Sequence, residues 1–135
     1  MTVSFVNVDA FNLALSRFSR QATPEMFDKM MIKIVADLLT AVVKLTPVDT
    51  GRLRGGWQAS VGQMNSADDT GNDKNGSATV GAGVSAVKNS GTMIGKTVYI
   101  YNNVFYAVYI EFGTPNMAPF GMLREALSWV QASIE

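Results

Sequence analysis

The chain has 135 residues, enough for one domain that buries most of its apolar surface without a disulfide or a metal to staple it. It contains no cysteine and no histidine, which excludes a disulfide framework, thiolate and imidazole metal sites, and every Ser-His or Cys-His nucleophile. Eleven basic residues balance eleven acidic ones, so no global field draws the chain to nucleic acid or an anionic membrane, and proteins are the expected partners.

Apolar residues make up 47% of the chain and charged ones only 16%, against about a quarter in ordinary soluble domains, which predicts that other subunits cover part of the apolar surface. Met1 to Val8 has no positive n-region and no continuous apolar run, so it reads as neither signal peptide nor anchor, and a cytoplasmic product is expected. Val3, Phe5 and Val8 predict a short extended segment. Asp9 can then cap a helix to about Arg20, with Phe11, Leu15 and Phe18 inward and Ser16, Arg17, Ser19 and Arg20 towards solvent.

Thr23-Pro24 opens a long helix, with threonine at the N-cap, proline at the first helical position and Glu25 beside the positive end of the dipole. It is expected to end near Leu45. Glu25, Asp28, Lys29, Lys33, Asp37, Thr40 and Lys44 form one narrow polar stripe, and the rest of the circumference is apolar. Lys33 and Asp37 sit in mid-span, which argues against a membrane helix. The pattern predicts a central helix sandwiched between its own sheet and either the N-terminal helix or a neighbouring subunit. Met30, Met31, Ile34 and Leu38 are the candidate positions for the contact between subunits.

Pro47 cannot continue that helix, because its ring clashes with the carbonyl four residues back and it has no N–H to donate. In Thr46-Pro47-Val48-Asp49-Thr50-Gly51-Arg52-Leu53-Arg54, Asp49 can accept the backbone N–H groups that follow and Gly51 permits close backbone approach. A single helical turn over Thr50 to Arg54 is expected, presenting Arg52 and Arg54 as planar donor forks on a fixed corner. A capped turn is the plain reading of this stretch, and a ligand-binding loop the other.

Beyond Gly55 the period changes to two: Trp57, Ala59 and Val61 alternate with Gln58 and Ser60, a strand pattern. Gly62 to Ser77 is almost pure turn residues, and a loop mobile in the free protein and ordered against a neighbour is expected there. A calcium loop fails on its own register, with Gly71, Asp73 and Asn75 at the first ligand positions and Ala82 where glutamate is required. Ala78, Val80 and Ala82 alternate again and predict another strand. The Gly81-Ala82-Gly83 spacing superficially resembles a dinucleotide site but lacks the long following helix and the downstream acid. Lys96 to Asn102 is the clearest strand, so the middle of the chain predicts a small antiparallel sheet of three to four strands.

In Asn103-Val104-Phe105-Tyr106-Ala107-Val108-Tyr109-Ile110-Glu111-Phe112-Gly113-Thr114-Pro115, Tyr106, Tyr109, Ile110 and Gly113 mark a short helix stopped by glycine and then proline. Glu111 among aromatics needs a partner, and Arg52 or Arg54 is the expected one. A last amphipathic helix is predicted from about Phe120 to Ser133, with Leu123, Leu127 and Val130 or Ile134 inward and Arg124, Glu125 and Gln131 outward. The whole reads as a single α+β domain, a small antiparallel sheet packed on a long central helix with helices at both termini.

Together, the Thr46–Arg54 stretch and Tyr106-Ala107-Val108-Tyr109-Ile110-Glu111-Phe112-Gly113-Thr114, followed by a Met-Ala-Pro-Phe segment and a terminal helix, resemble the tail-component family of tailed bacteriophages. The chain departs from the pattern at Gly55 and Gly56, where a serine commonly follows the corner arginine, and at Gly121, where a bulky residue is commoner. The resemblance implies a non-enzymatic virion protein of the head–tail junction, called a tail completion, neck or head–tail joining protein, assembled in the host cytoplasm without a cofactor. It implies a homo-oligomeric ring, a hexamer, that contacts the head connector or stopper and the tail terminator or tail tube, and lets DNA through without specific binding. It marks Pro47, Asp49, Thr50, Gly51, Arg52, Arg54, Tyr106, Glu111 and Gly113 as the structural motif. A tail terminator ring of the same junction, a small Asp/Glu hydrolase and a non-catalytic ligand-binding module are the other readings, and a deep acid-lined pocket would favour the hydrolase.

Overall fold

The helix opened by Thr23-Pro24 forms over Pro24–Leu45 (α1) in the computed structural model of the chain, which describes residues 23–48, 51–64 and 72–134. Thr23 is extended and its Oγ1 accepts the Met26 N–H at 3.2 Å, while Pro24 sits where its missing donor is of no consequence. A one-turn helix α2 (Arg52–Gly55) and strand β1 (Trp57–Val61) follow. Next come helix α3 (Ser77–Lys88), strand β2 (Val98–Asn102), helix α4 (Ala107–Phe112) and helix α5 (Met122–Ile134). The N-terminal extended segment and helix predicted before Thr23, and the middle of the loop at 65–71, lie outside the described residues.

The sheet is smaller than the sequence suggests. Among the described residues it has two antiparallel strands rather than three to four, in register from Trp57 opposite Asn102 to Val61 opposite Val98. The strand expected at Ala78–Ala82 is the first half of α3. Its apolar alternation is only three residues deep, whereas the residues that are buried, Thr79, Gly83 and Val87, recur every four, the spacing of one helical face. The alanines add helix propensity, and the chain upstream supplies a start. Gly83 lets α3 approach α1 closely, since a Cβ there would stand 2.4 Å from Leu39 Cδ1.

Helices α3 and α5 pack along α1, and β1 touches it less extensively. The apolar circumference of α1, which from sequence calls for its own sheet and either an N-terminal helix or a neighbouring subunit, is covered, among the described residues, chiefly by α3 and α5. One core results, in which Leu39, Val42 and Trp57 meet Val87 and Met93 with Met122, Ala126 and Val130 of α5. Asp28 in the second turn of α1 ties down the segment leading to β2, its Oδ1 accepting the Met93 N–H at 2.9 Å. The last helix begins at Met122, two residues later than predicted, because Gly121 stands at φ 60°, outside the right-handed helical region. No described helix is long and apolar enough to cross a membrane.

Candidate functional site: the corner and the aromatic clip

Thr46 closes α1 as its C-cap, in the extended conformation that the following proline favours. Its hydroxyl donates to Val42 O and accepts the Trp57 indole N–H at 2.8 Å, and its carbonyl accepts Arg54 Nη2 at 2.9 Å. Arg54 Nη1 donates to Lys74 O at 2.7 Å, so one guanidinium joins the end of α1 to the segment that precedes α3. Its Nε is buried with no hydrogen-bond partner among the described residues. Pro47 is half-buried beside this cluster, while Asp49 and Thr50 lie outside the described residues. Gly51 stands at φ 89° at the start of α2, and a Cβ there would come within 3.0 Å of backbone atoms of Asp73 and Lys74. The close approach expected of Gly51 is therefore to the return of the long loop, whose Asp73 N–H donates to Gly51 O at 3.0 Å.

The other side of the corner is held from β2. Asn102 is fully buried; its Nδ2 donates to Leu53 O at 2.8 Å and its Oδ1 accepts the Val104 N–H at 3.0 Å. A Cβ on Gly56 would lie 2.6 Å from Asn102 Oδ1, so the approach of the β2 asparagine requires glycine there.

Asp73 is the start signal of α3. Its Oδ1 accepts the Gly76 N–H at 3.1 Å, and its Oδ2 accepts both the N–H and the hydroxyl of Thr79 at 2.9 and 2.8 Å. A carboxylate bound to the free donors of a first helical turn is a cap, reached here from outside the helix. The Thr79 hydroxyl holds the Asp73 carboxyl below its ordinary 3.8; burial opposes this, and the backbone N–H groups of Thr79, Gly76 and Ala78 reinforce it. Because the folded-state value is the lower one, the stabilisation is complete above the unfolded-state value and is lost as pH falls through the folded-state one. Asp73→Asn should therefore be less stable than the parent at neutral pH by about 1 kcal/mol, the usual worth of a cap. The gap should narrow below the ordinary 3.8. Urea midpoints of both proteins from pH 7 downward check this, and a gap that does not change with pH would show that the charge contributes nothing.

Glu111 lies on α4 and is 1% exposed. Its Oε1 accepts the Leu123 N–H at 2.7 Å and its Oε2 accepts Arg124 Nε at 3.0 Å; Arg124 Nη2 returns to Glu111 O at 2.6 Å. The expected pairing with Arg52 or Arg54 gives way to this one. Arg54 is committed to carbonyls, Arg52 lies over the Phe105 ring at 5.8 Å, and the cation that meets Glu111 is Arg124, which the helical wheel assigned to solvent. The physical reason is the reversal at Gly113. Thr114 and Met117 bridge in a tight turn there, and a Cβ on Gly113 would meet Met117 O and Pro119 N at 2.8 Å. That turn lays the first turn of α5 on α4, so Glu111 caps α5 as well as pairing with its arginine. Tyr106, half-buried, accepts the Ile110 N–H with its carbonyl and makes an edge contact with Phe105 at 5.1 Å.

An open groove of about 440 Å³ runs between β1 and α3, lined by Trp57, Ala59, Asp73, Ala78, Ala82 and Ala86 among others. Among the described residues its lining carboxylate is Asp73, which is engaged in capping, and no cluster of ligating side chains fit for a metal occurs. Of the four α1 positions proposed for a subunit contact, Ile34 and Leu38 are 4% and 7% exposed in the chain's own core, while Met30 and Met31 are half-buried against it.

The family model described as "Bacteriophage HK97-gp10, putative tail-component" matches residues 9–113, which take in the corner, both strands and the whole of α4. The chain belongs to this family. No curated protein and no solved structure matches it. Membership in the HK97-gp10-like family makes the chain a bacteriophage tail component, a structural protein of the virion that works among other virion proteins. Set against that, the polar groups of the two motifs serve the fold: Arg54 and Glu111 are spent on joining elements. Sequence reasoning found those two but missed Thr46, Asp73, Asn102 and Arg124. Asn72-Asp73-Lys74-Asn75-Gly76-Ser77 does carry a cap-like signature, an acid shortly before an Ala- and Val-containing run, that was legible but submerged in a longer polar stretch.

Proposed function

We propose that this tail component is the tail completion, or neck-joining, protein of the head–tail junction, closing a ring that links the tail tube to the head connector. The observation that carries the reading is the family match over the corner and the aromatic helix, residues whose side chains are committed to rigidity rather than to a substrate. A ring of such subunits, six in the expected assembly, needs stiff protomers with apolar surface left for neighbours. Met30 and Met31, half-buried, and the exposed aromatics beyond β2 supply it. Zero net charge suits a channel that passes DNA without gripping its phosphates, since tight binding needs a basic lining and shows strong salt dependence. The connector or stopper on one side and the tail terminator or tube on the other are the partners in this reading.

The test is a phage lacking this gene product. Filled heads and finished tails that fail to join, or joined particles that leak, are expected, with joining restored when the purified protein is added. Normal infectious virions formed in its absence would sink the assignment. Tails of uncontrolled length would move it to the tail terminator ring.

A further inference from the structure

The glycine that starts α3 is imposed by the fold, and an asparagine precedes it. Gly76 stands at φ 82° as the N-cap of α3, and a Cβ there would run into Val43 Cγ1, so the position admits glycine alone. Asparagine followed by glycine is the dipeptide whose side-chain amide is most open to attack by the next backbone nitrogen, because glycine brings no side chain to hinder closure of a five-membered ring. Asn75-Gly76 is the single such pair in the sequence. Both reacting groups are tied down. Asn75 Oδ1 accepts the Ser77 N–H at 2.9 Å and the Ser77 hydroxyl at 2.8 Å, and the Gly76 N–H donates to Asp73 Oδ1 at 3.1 Å. Asp73 is anchored in turn by Thr79 and by its own N–H bond to Gly51 O, while Arg54 holds the carbonyl of Lys74. To close the ring, the exposed Asn75 carboxamide has to leave Ser77 and swing over the Gly76 nitrogen, and that nitrogen has to leave Asp73 and turn against Val43.

We propose that Asn75-Gly76 is a self-modification site that the fold keeps closed and that converts irreversibly once the start of α3 opens, a property independent of the junction reading above. In the opened segment hydroxide removes the Gly76 amide proton and the nitrogen attacks Asn75 Cγ. The side-chain nitrogen takes a proton from water and leaves as ammonia, which returns the hydroxide and gives a succinimide. Water then opens the ring. Cleavage of the new N–Cγ bond gives aspartate, and cleavage on the other side gives isoaspartate, in which the main chain runs through Cγ and carries an extra carbon. Aspartate keeps the local structure, since its carboxylate accepts the same two Ser77 donors beside the positive end of a helix. Isoaspartate shifts Gly76 and Thr79 relative to Asp73, so the cap does not re-form and the corner held by Arg54 loses its grip on α3. Opening is thereby recorded in the covalent structure.

The test is the rate of ammonia loss at Asn75, followed by peptide mapping with mass spectrometry in mildly alkaline buffer. The folded parent is expected to react more slowly than the same chain unfolded in urea by roughly tenfold or more, the suppression that a local opening equilibrium provides. Asp73→Asn should react about fivefold faster than the folded parent, because losing a cap raises the opened population by that factor. Arg124→Ala, which loosens α5 and leaves the start of α3 untouched, should react at the parent's rate. A folded parent as fast as the unfolded chain, an Asp73→Asn variant no faster than the parent, or an equal acceleration by Arg124→Ala overturns the proposal. Deamidated protein isolated by anion exchange should also unfold at lower urea concentration than Asn75→Asp, which carries the same charge on an unaltered main chain. Equal midpoints would show that isoaspartate leaves the cap intact and would remove the one-way character of the site.

Discussion

Glu111→Ala should destabilise the protein by about 3 kcal/mol, a drop in melting temperature of roughly 10 °C for a chain of this size. The carboxylate is 1% exposed and serves two partners, the Leu123 N–H at the start of α5 and the Arg124 guanidinium. Truncation leaves the N–H buried without an acceptor and opens a hole between α4 and α5. Arg124, whose side chain is 46% exposed, can return to water at small cost. Arg124→Ala is therefore expected to lose less, about 1–2 kcal/mol, because Glu111 keeps the Leu123 N–H and the positive end of the α5 dipole. Thermal unfolding of both variants with the double variant gives the coupling between them. Arg52→Ala should show no coupling to Glu111. If Glu111→Ala melts like the parent, the clip between α4 and α5 contributes nothing.

Gly76→Ala should cost about 2–5 kcal/mol, through two separable causes. The residue stands at φ 82°, where any side chain is strained, and a Cβ would fall 1.9 Å from Val43 Cγ1, a stiff β-branched group in the core. Gly62 isolates the first cause, since it has φ 94° with nothing within 4 Å of a built Cβ. Gly62→Ala should lose only about 1–2 kcal/mol. Adding Val43→Ala to Gly76→Ala should return the steric part and leave the conformational one, so the double variant is expected to be more stable than the sum of the singles. Strict additivity in urea unfolding would mean that Val43 does not meet the new methyl, and that α3 moves away from α1 instead.

Elements whose beginnings and ends are set by neighbours in sequence were legible before any fold was in view. Thr23-Pro24 and Pro47 bound α1 through a cap and a missing donor, Gly113-Thr114-Pro115 ends α4, and the alternation around Trp57 and Tyr99 marks the two strands. Each of those signals acts over a few bonds, so no tertiary context is needed to read it. The corner and the aromatic helix were legible in the same way, and with them the family.

What only the tertiary structure decided is which distant groups meet. Glu111 demanded a cation by its surroundings, but the choice among Arg52, Arg54 and Arg124 depended on how the chain reverses between Gly113 and Gly121, and a helical wheel of α5 carries no information about that turn. The segment 78–82 was decided in the same manner. Alanine, glycine and valine in a short run have weak and conflicting local preferences, so the outcome rested on Asp73 capping the turn and on Leu39 filling the space at Gly83. The apolar excess of α1 was visible in the sequence. That, among the described residues, α3 and α5 chiefly cover it follows from packing over distances that periodicity along one helix cannot report.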